Sequence, residues 1–281
     1  MRMVSSRGGD STYQAMMENL IREVFGFSFA PWFSRGLWDE RYESHAFVED
    51  GRMLSNISLF KSDLVVAGKR MRAHQFGGVA TRKEARGKGL SRELMEQIIK
   101  RYPETPSYLA AHPGVADFYP RFGFRKVETF RPEMAIQVDH PEAVAHRLEP
   151  DDPAVAAALE TRVYSEVLDS VNAQPIRMFH LLMDYPDGIY RLPGCGAIVV
   201  AEQKDDRLMI ADVLSARPIA FDTLQKELPF SGVRTVDFGF CPEWLGVTPD
   251  WKPVDGKEEP FFLRGSWDLP ARFVFPVMAE T

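Results

Sequence analysis

A basic, glycine-rich loop between a predicted strand and a predicted helix is the feature that most constrains this chain. The strand ends near Thr81, the loop reads Arg-Gly-Lys-Gly-Leu-Ser from Arg86, and the helix places Leu90, Leu94 and Ile98 at four-residue intervals. The start of a helix leaves backbone N–H groups unpaired, and glycines allow the backbone to approach an anion closely. The pattern therefore predicts a site for a phosphate-bearing ligand.

This loop differs from the two common phosphate-binding loops. A Walker A loop needs G-x-x-x-x-G-K-[ST], but Ser91 stands three residues after Lys88, and the upstream glycine is missing. The dinucleotide pattern G-x-G-x-x-G fails because Arg92 stands where its last glycine should be. Nucleic acid is not the expected anion, because no aromatic residues interleave with the basic ones.

Length and charge indicate two unequal halves. A chain of 281 residues favours two domains, and a polar, proline-containing stretch divides them as residues 1–140 and 141–281. Residues 1–138 carry 21 Lys and Arg against 16 Asp and Glu, whereas the remainder carries 13 against 24. We therefore expect the first half to meet the anionic ligand. The composition, 45% hydrophobic and 26% charged, excludes a disordered chain and a coiled coil.

The sequence also predicts where the protein resides. No apolar run approaches the roughly 18 residues of a membrane-spanning helix, and the first residues lack the apolar core of a secretion signal. Two cysteines, Cys195 and Cys241, cannot form a disulfide framework. We expect a cytoplasmic protein with no membrane partner. A homo-oligomer is compatible with the sequence.

The order of predicted elements favours a mixed α+β sheet flanked by helices. The first half ends in a series of short elements after a long strand: Met71–Thr81, a helix from Gly89 to Arg101, a strand at Ser107–Ala111, a helix at Val115–Phe122, and strands at Phe124–Phe130 and Met134–Val138. The second half repeats this order weakly, with a strand at Arg272–Phe275 and an irregular stretch at Trp244–Pro260.

Two motifs resemble the GCN5-related N-acetyltransferase (GNAT) family. Val79-Ala80-Thr81 followed by Arg-Gly-x-Gly-Leu-Ser is similar to the acetyl-CoA loop of that family, and the run from Phe118 to Phe124, FYPRFGF, is similar to a second family motif. The whole chain resembles, more loosely, the tandem acetyltransferases related to the enhanced-intracellular-survival proteins. The resemblance implies a GNAT acyl-CoA N-acyltransferase fold followed by a second, degenerate GNAT-like domain.

The resemblance also assigns the cofactor residues. It implies acetyl-CoA as co-substrate and no metal. The backbone at Val79–Thr81 would hydrogen-bond the pantetheine arm as an added strand, amides of the loop would cradle the pyrophosphate, and Arg82, Lys83 or Lys88 would lie near the nucleotide phosphates. The residues so assigned are Val79, Ala80, Thr81, Arg86, Gly87, Lys88, Gly89, Leu90, Ser91 and Arg92.

The resemblance further places Tyr119 where the family has the general acid that protonates the departing CoA thiolate. A phenol with a pKa near 10 stays protonated at neutral pH. A core aromatic is the competing interpretation of Tyr119. No Glu occupies the late part of the Met71–Thr81 strand, where some members keep their base, so the general base is not assigned.

Several other side chains fit structural roles better than catalytic ones. These interpretations are a loop or capping residue for His112, a solvated strand-end carboxylate for Glu49, packing on the sheet for Trp32, Phe33 and Trp38, and a turn for Cys195. The second half contains no Arg-Gly-x-Gly, so we expect it to bind no CoA.

The leading hypothesis is an acetyl-CoA-dependent N-acetyltransferase acting on a primary amine of a small molecule or a protein. A non-catalytic acyl-CoA sensor and a tandem-GNAT aminoacyl transferase are the alternatives. Tyr119 argues against the sensor, and the complete loop argues against the aminoacyl transferase. The sequence does not separate an aminoglycoside, a polyamine, a small metabolite or a protein lysine as the acceptor.

Overall fold

The chain forms two mixed β-sheets flanked by helices in a computed structural model that describes residues 1–8, 10–139 and 144–281. Its strands are β1 (Arg2–Ser6), β2 (Tyr42–Glu49), β3 (Arg52–Val66), β4 (Lys69–Thr81), β5 (Ser107–Ala110), β6 (Arg125–Val127), β7 (Phe130–Val138), β8 (His146–Arg147), β9 (Leu168–Ser170), β10 (Ile189–Leu192), β11 (Ala197–Lys204), β12 (Arg207–Leu214), β13 (Val233–Phe238), β14 (Asp250–Pro253) and β15 (Phe261–Arg264). Its helices are α1 (Ser11–Phe25), α2 (Ala30–Phe33), α3 (Leu90–Arg101), α4 (Pro153–Thr161), α5 (Gln174–Met183) and α6 (Phe221–Leu224). The predicted mixed α+β class is confirmed.

The first sheet has the strand order β1-β2-β3-β4-β5-β15-β6, with β9 paired to β3. Neighbours are antiparallel except β4 and β5, which are parallel. Because successive strand residues point to opposite faces, Phe60 packs with α1 on one face and Leu59 packs with α3 on the other. Helix α1 starts where the Asp10 carboxylate accepts hydrogen bonds from two backbone N–H groups, and it ends at the left-handed Gly26.

The second sheet repeats the order of the first. Its order is β14-β7-β13-β12-β11-β10-β8, and its one parallel pair, β12 with β13, corresponds to β4 with β5. Each sheet contains strands from the other half of the chain. In the first sheet β9 pairs with β3 and β15 lies between β5 and β6, and in the second sheet β7 lies between β13 and β14. The predicted boundary at residues 140 and 141 lies outside the described residues, and a division there remains a proposal about the sequence halves.

The two sheets are joined by a buried ring of four charged side chains. Arg162 contacts Asp169 at 3.1 Å and Asp212 at 3.0 Å, and Arg177 contacts the same two carboxylates at 2.9 and 3.0 Å. Asp169 lies on β9 of the first sheet and Asp212 on β12 of the second. Every carboxylate oxygen of the ring therefore faces a guanidinium donor, and the ring links the two sheets.

Three predicted elements differ from the structure. The predicted Val115–Phe122 helix is wrong: this stretch forms 3₁₀ turns at Pro113–Phe118 and Pro120–Phe122, because Pro120 has no N–H group to donate to the carbonyl four residues before it. The predicted strand at Arg272–Phe275 is also wrong: Phe273 and Phe275 are buried by aromatic packing between proline residues, without a strand.

The Trp244–Pro260 stretch, predicted to be irregular, contains β14, which pairs with β7. Among the described residues, no helix is both long and apolar enough to cross a membrane.

Candidate active site

Strands β4 and β5 separate soon after they meet. They are paired only at His74 with Ser107 and at Gln75 with Tyr108, in the middle of β4 and at the start of β5. From Phe76 to Thr81, the edge of β4 that faces β5 therefore has no strand beside it among the described residues. An open strand edge presents alternating N–H and C=O groups to which an extended ligand can add. We call the space between the two strands the divergence.

A β-bulge lies on β4 inside the divergence. Ser58 pairs with Gly77 and Asn56 with Ala80, so that Ile57 alone faces two residues of β4, Gly78 and Val79. Gly78 has a φ of +54° and its carbonyl accepts a hydrogen bond of 2.8 Å from Asn56 Nδ2. The bulge removes Gly78 and Val79 from the regular ladder. The tandem glycines Gly77 and Gly78 are the sequence signal for this bulge, which interrupts the predicted Met71–Thr81 strand.

The glycine loop joins β4 to the start of α3. Gly87 and Gly89 have φ values of +76° and +80°, and a Cβ at either position would meet nothing within 4 Å. Gly89 precedes α3, and within the described part of the chain no side chain caps this helix. The first N–H groups of α3 therefore point toward an open surface, as an anion site requires. Leu90 is buried and anchors the helix start.

Hydrogen bonds fix the loop against the strand. The hydroxyls of Thr81 and Ser91 lie 2.6 Å apart, and Ser55 approaches Thr81 at 2.8 Å. Arg86 Nε donates to the Thr81 carbonyl at 3.2 Å, whereas Lys88 and Arg92 are exposed at the loop surface. The structure thus brings all ten predicted cofactor residues to one end of β4 and the start of α3.

Arg82 does not join the loop. Its side chain is buried, pairs with Glu23 of α1 and donates from Nε to the Met53 carbonyl at 2.8 Å. The charge of Arg82 is therefore already paired with a residue 59 positions away in sequence, which favours Lys83 or Lys88 as the residue near the nucleotide phosphates. Lys83 and Lys88 remain exposed near the loop.

Tyr119 lies on the same face of the sheet as α3. Its ring is 4% exposed and packs against Phe118, Phe124 and Phe262, with ring centroids 5.3 to 6.2 Å apart. Burial raises the pKa of its phenol to about 12. The hydroxyl forms no hydrogen bond with the described residues. Because Phe262 on β15 pairs with Leu109 on β5, Tyr119 lies beside the β5 side of the divergence.

The side chains for which the sequence favours a structural role have structural positions in the fold. His112 accepts a hydrogen bond from the Gly114 N–H at 3.1 Å and begins a 3₁₀ turn, and Glu49 is exposed at the end of β2. Burial raises the pKa of the Cys195 thiol, which makes it a poor nucleophile. The aromatic residues expected to pack on the sheet do so in one buried cluster: Trp32, Phe33 and Trp38.

An acidic cavity that the sequence analysis missed lies between the two sheets. It has a volume of about 260 Å³ and begins at Ala110 and Ala111, where β5 ends. Three carboxylates line it, Glu258, Glu259 and Glu280, against one basic residue. That residue is Arg131, which is already paired with Glu259 at 3.0 Å. These acids stand far from the motifs in sequence, so no local pattern marks them.

Residues 277–281, called the 277–281 segment below, connect this cavity to the divergence. Glu280 lines the cavity, and burial raises the pKa of its carboxyl to about 7. On either side of Glu280, the Gln75 side-chain amide of β4 donates to the Ala279 carbonyl at 2.9 Å and accepts from the Thr281 N–H at 2.8 Å. A Cβ at Gly77 would lie 2.9 Å from the Thr281 carbonyl oxygen, so only glycine permits this approach.

The second sheet has a corresponding β-bulge, at Ala211 of β12, but it lacks the wide divergence and the glycine loop among the described residues. Its parallel strands β12 and β13 are paired at four positions, from Arg207 with Thr235 to Ile210 with Phe238, so they diverge less than β4 and β5. The connection after β12 contains Pro218 and no glycine, and α6 has only four residues. No group of His, Cys, Asp and Glu among the described residues is arranged to hold a metal ion.

Comparisons with known proteins agree with this geometry. The model of the acetyltransferase (GNAT) domain family matches residues 7–127. No curated protein matches the chain in sequence. A probable N-acyltransferase of known structure from Enterococcus faecalis is 13% identical, with a TM-score of 0.59 over 94% of this chain and 73% of its own.

Two further solved structures have the same fold. Eis1 from Mycobacterium abscessus is 14% identical, with a TM-score of 0.54, and covers 94% of this chain and 73% of its own. A GCN5-related N-acetyltransferase from Kribbella flavida is 17% identical, with a TM-score of 0.53 over 94% and 72%. Residues 7–127 are therefore a GNAT acetyltransferase domain, in a chain whose overall fold is that of the GNAT acyltransferases.

Proposed function

We propose that this protein is an N-acetyltransferase that moves the acetyl group of acetyl-CoA to a primary amine. The divergence of β4 and β5 beside the uncapped start of α3 is the observation that carries this proposal. The pantetheine arm adds to the open edge at Val79–Thr81, and the pyrophosphate binds at the backbone N–H groups between Arg86 and Arg92. Lys88 and Arg92, both exposed, supply positive charge at the loop.

The acidic cavity is the proposed acceptor site. It meets the divergence at Ala110 and Ala111, and its carboxylates suit an ammonium group. The ammonium must lose a proton before its nitrogen can attack the thioester. Glu280, with a pKa of about 7, is the cavity carboxylate whose proton affinity suits transfer at neutral pH.

The proposed reaction forms one bond and breaks one. The amine nitrogen bonds to the acetyl carbonyl carbon, and an N–H group of the bulge at Gly78 and Val79 stabilises the resulting oxyanion. The carbon–sulfur bond then breaks, and Tyr119 donates its proton to the CoA thiolate. The second half of the chain supplies the acceptor wall and binds no CoA. A cytoplasmic location and a homo-oligomer remain predictions.

The loop assignment is tested by Gly89→Glu, which puts a side chain and a negative charge at the proposed pyrophosphate position. We expect the Kd for acetyl-CoA, measured by calorimetry, to rise by about tenfold or more. Gly246→Glu is the matched control, because Gly246 also has a positive φ, of +71°, and open space around it, but lies in the second half. Equal affinities in the two variants would overturn the loop assignment.

Catalysis is tested with an amine panel containing spermidine, kanamycin, L-lysine and a lysine-containing peptide. Release of the CoA thiol that depends on one of these amines would support the transferase. Acetyl-CoA binding without release for any amine would instead indicate the acyl-CoA sensor.

A further inference from the structure

His180 links helix α5 to the 277–281 segment. It lies on α5, and its Nε2 is 2.8 Å from the Glu280 carbonyl oxygen. A carbonyl oxygen only accepts, so Nε2 donates this hydrogen bond. Its Nδ1 is 2.6 Å from Asp184 Oδ2, one helical turn further along α5, and this contact fixes the orientation of the ring. The ring is largely buried and packs edge-on against Phe179.

Two other anchors hold the segment besides the bond from His180. At one end, the Val277 N–H donates to the Gly239 carbonyl at 2.8 Å, and at the other, Gln75 holds Ala279 and Thr281. The first anchor belongs to the second sheet and the second to the divergence. His180 holds the carbonyl of Glu280, the acidic residue of the segment and one of those that line the acceptor cavity.

We propose that His180 is a positioning residue for the acceptor, which it serves by fixing the 277–281 segment through the Asp184–His180–Glu280 contacts. This inference rests on the proposed function. His180 lies outside the cavity lining and does not touch the reacting atoms. His180 acts through the backbone at Glu280. The position of this backbone determines where the Glu280 carboxyl lies and where Thr281 faces Gly77. Because a displacement of about 1 Å in reacting groups can cost about a hundredfold in rate, one such anchor is sufficient to matter.

The inference predicts a defect that is specific to the amine. In His180→Ala, the KM for the amine should rise by about tenfold, the effect of one lost hydrogen bond. The Kd for acetyl-CoA should stay within about twofold, because the cofactor loop shares no partner with His180. His180→Gln, whose amide can donate in place of Nε2, should recover most of the loss. His146→Ala on the edge strand β8 is the matched control and should behave as the wild type.

The experiment combines kinetics with hydrogen exchange in the full chain. Spermidine is the probe amine, replaced by the best acceptor of the panel if it is not acetylated. Hydrogen–deuterium exchange at residues 279–281 should accelerate in His180→Ala and return toward the wild-type rate in His180→Gln. Unchanged exchange, an unchanged KM, or a parallel loss of acetyl-CoA affinity would each overturn the inference. If the wild type acetylates no amine of the panel, the proposed function fails, and the catalytic role of His180 fails with it.

Discussion

The ring of Tyr119 packs against three phenylalanines, and this burial raises the pKa of its phenol to about 12. The phenol therefore carries its proton throughout the neutral range. A thiolate leaving group needs such a donor, and the hydroxyl forms no hydrogen bond with the described residues that would compete for it. Tyr119 thus has the packing expected of a core aromatic and also the protonated phenol that a general acid requires.

Tyr119→Phe separates these two roles. The variant keeps the ring and its packing but removes the proton, so we expect kcat to fall by about 10² to 10⁴-fold with acetyl-CoA affinity retained. Steady-state thiol release and calorimetry would measure the two effects. Tyr190→Phe in the second half is the control, since Tyr190 also packs against a phenylalanine. A Tyr119→Phe variant within about threefold of the wild type would assign the tyrosine to packing alone.

Residues could be predicted where their chemistry depends on close sequence neighbours. Gly87 and Gly89 require positive φ values at the start of a helix, and this requirement is visible in six consecutive residues. Glu280 could not be found in this way, because its role depends on Ala110 and other residues that only the folded chain brings together. The ion pair of Arg82 was not predictable for the same reason, since its partner Glu23 lies on α1, far away in sequence.

At the scale of elements, the far end of α3 rests on a buried carboxylate. Glu43 of β2 is fully buried, and Tyr102, next to the end of α3, donates a hydrogen bond to it at 2.9 Å. Four further side chains surround it within 3.5 Å: Arg7, His45, Lys61 and Arg101. Burial alone would raise the pKa of Glu43, but the contacts with His45, Tyr102 and Arg7 outweigh burial and hold it well below its ordinary value of 4.5.

This lowered pKa gives a signed prediction for stability. A carboxyl whose pKa is lower in the folded than in the unfolded state stabilises the fold above about pH 4.5, and that contribution is lost as the pH falls below it. We expect Glu43→Gln to reduce the free energy of unfolding at pH 7 by about 2 to 4 kcal/mol, and to differ less from the wild type near pH 3.5. Urea denaturation at the two pH values measures this.

The exposed ion pair between Glu84 and Arg52 provides the control, because Glu84→Gln should leave the stability close to that of the wild type at either pH. A Glu43→Gln variant whose stability deficit does not change with pH would contradict the account of Glu43.

The elements themselves were predictable where one periodicity dominates. The 3.6-residue pattern of α3 predicts the helix, and the alternation of β3 and β4 predicts the two strands. Pairing partners were not predictable. Strand β15 lies beside β5 although 150 residues separate Ala110 from Phe261, and neither strand has a sequence pattern that identifies its partner. A sequence pattern encodes the faces of an element, whereas tertiary packing decides its neighbours.

At the scale of the whole molecule, the buried ring of Arg162, Asp169, Arg177 and Asp212 makes the two sheets one cooperative unit. Asp212→Asn leaves two buried guanidinium groups with one carboxylate between them. We expect a loss of about 3 to 5 kcal/mol in the free energy of unfolding, measured by urea denaturation. Asp151→Asn breaks an Arg–Asp pair that is exposed, between Asp151 and Arg35, and it should cost less than about 1 kcal/mol. Similar losses in both variants would mean that burial of the ring is not decisive.

The exchange of β7 and β15 between the sheets predicts how a fragment of the chain will behave. A fragment of residues 1–145 contains every predicted cofactor residue and Tyr119, but it lacks β15. Strands β5 and β6 then lose the strand between them, Tyr119 loses the ring of Phe262, and β7 loses both of its partners, β13 and β14. An unpaired strand with apolar faces is an aggregation site.

We therefore expect the 1–145 fragment to be insoluble or unfolded when it is produced alone. Co-expression with a 146–281 fragment, which supplies β15, should restore a soluble complex that binds acetyl-CoA. Circular dichroism, gel filtration and calorimetry would measure the secondary structure, the association and the binding. A 1–145 fragment that is folded and fully active on its own would show that the first sheet does not need β15. Saturable acetyl-CoA binding by the 146–281 fragment alone would contradict the inference that the closely paired strands β12 and β13 leave no room for the cofactor.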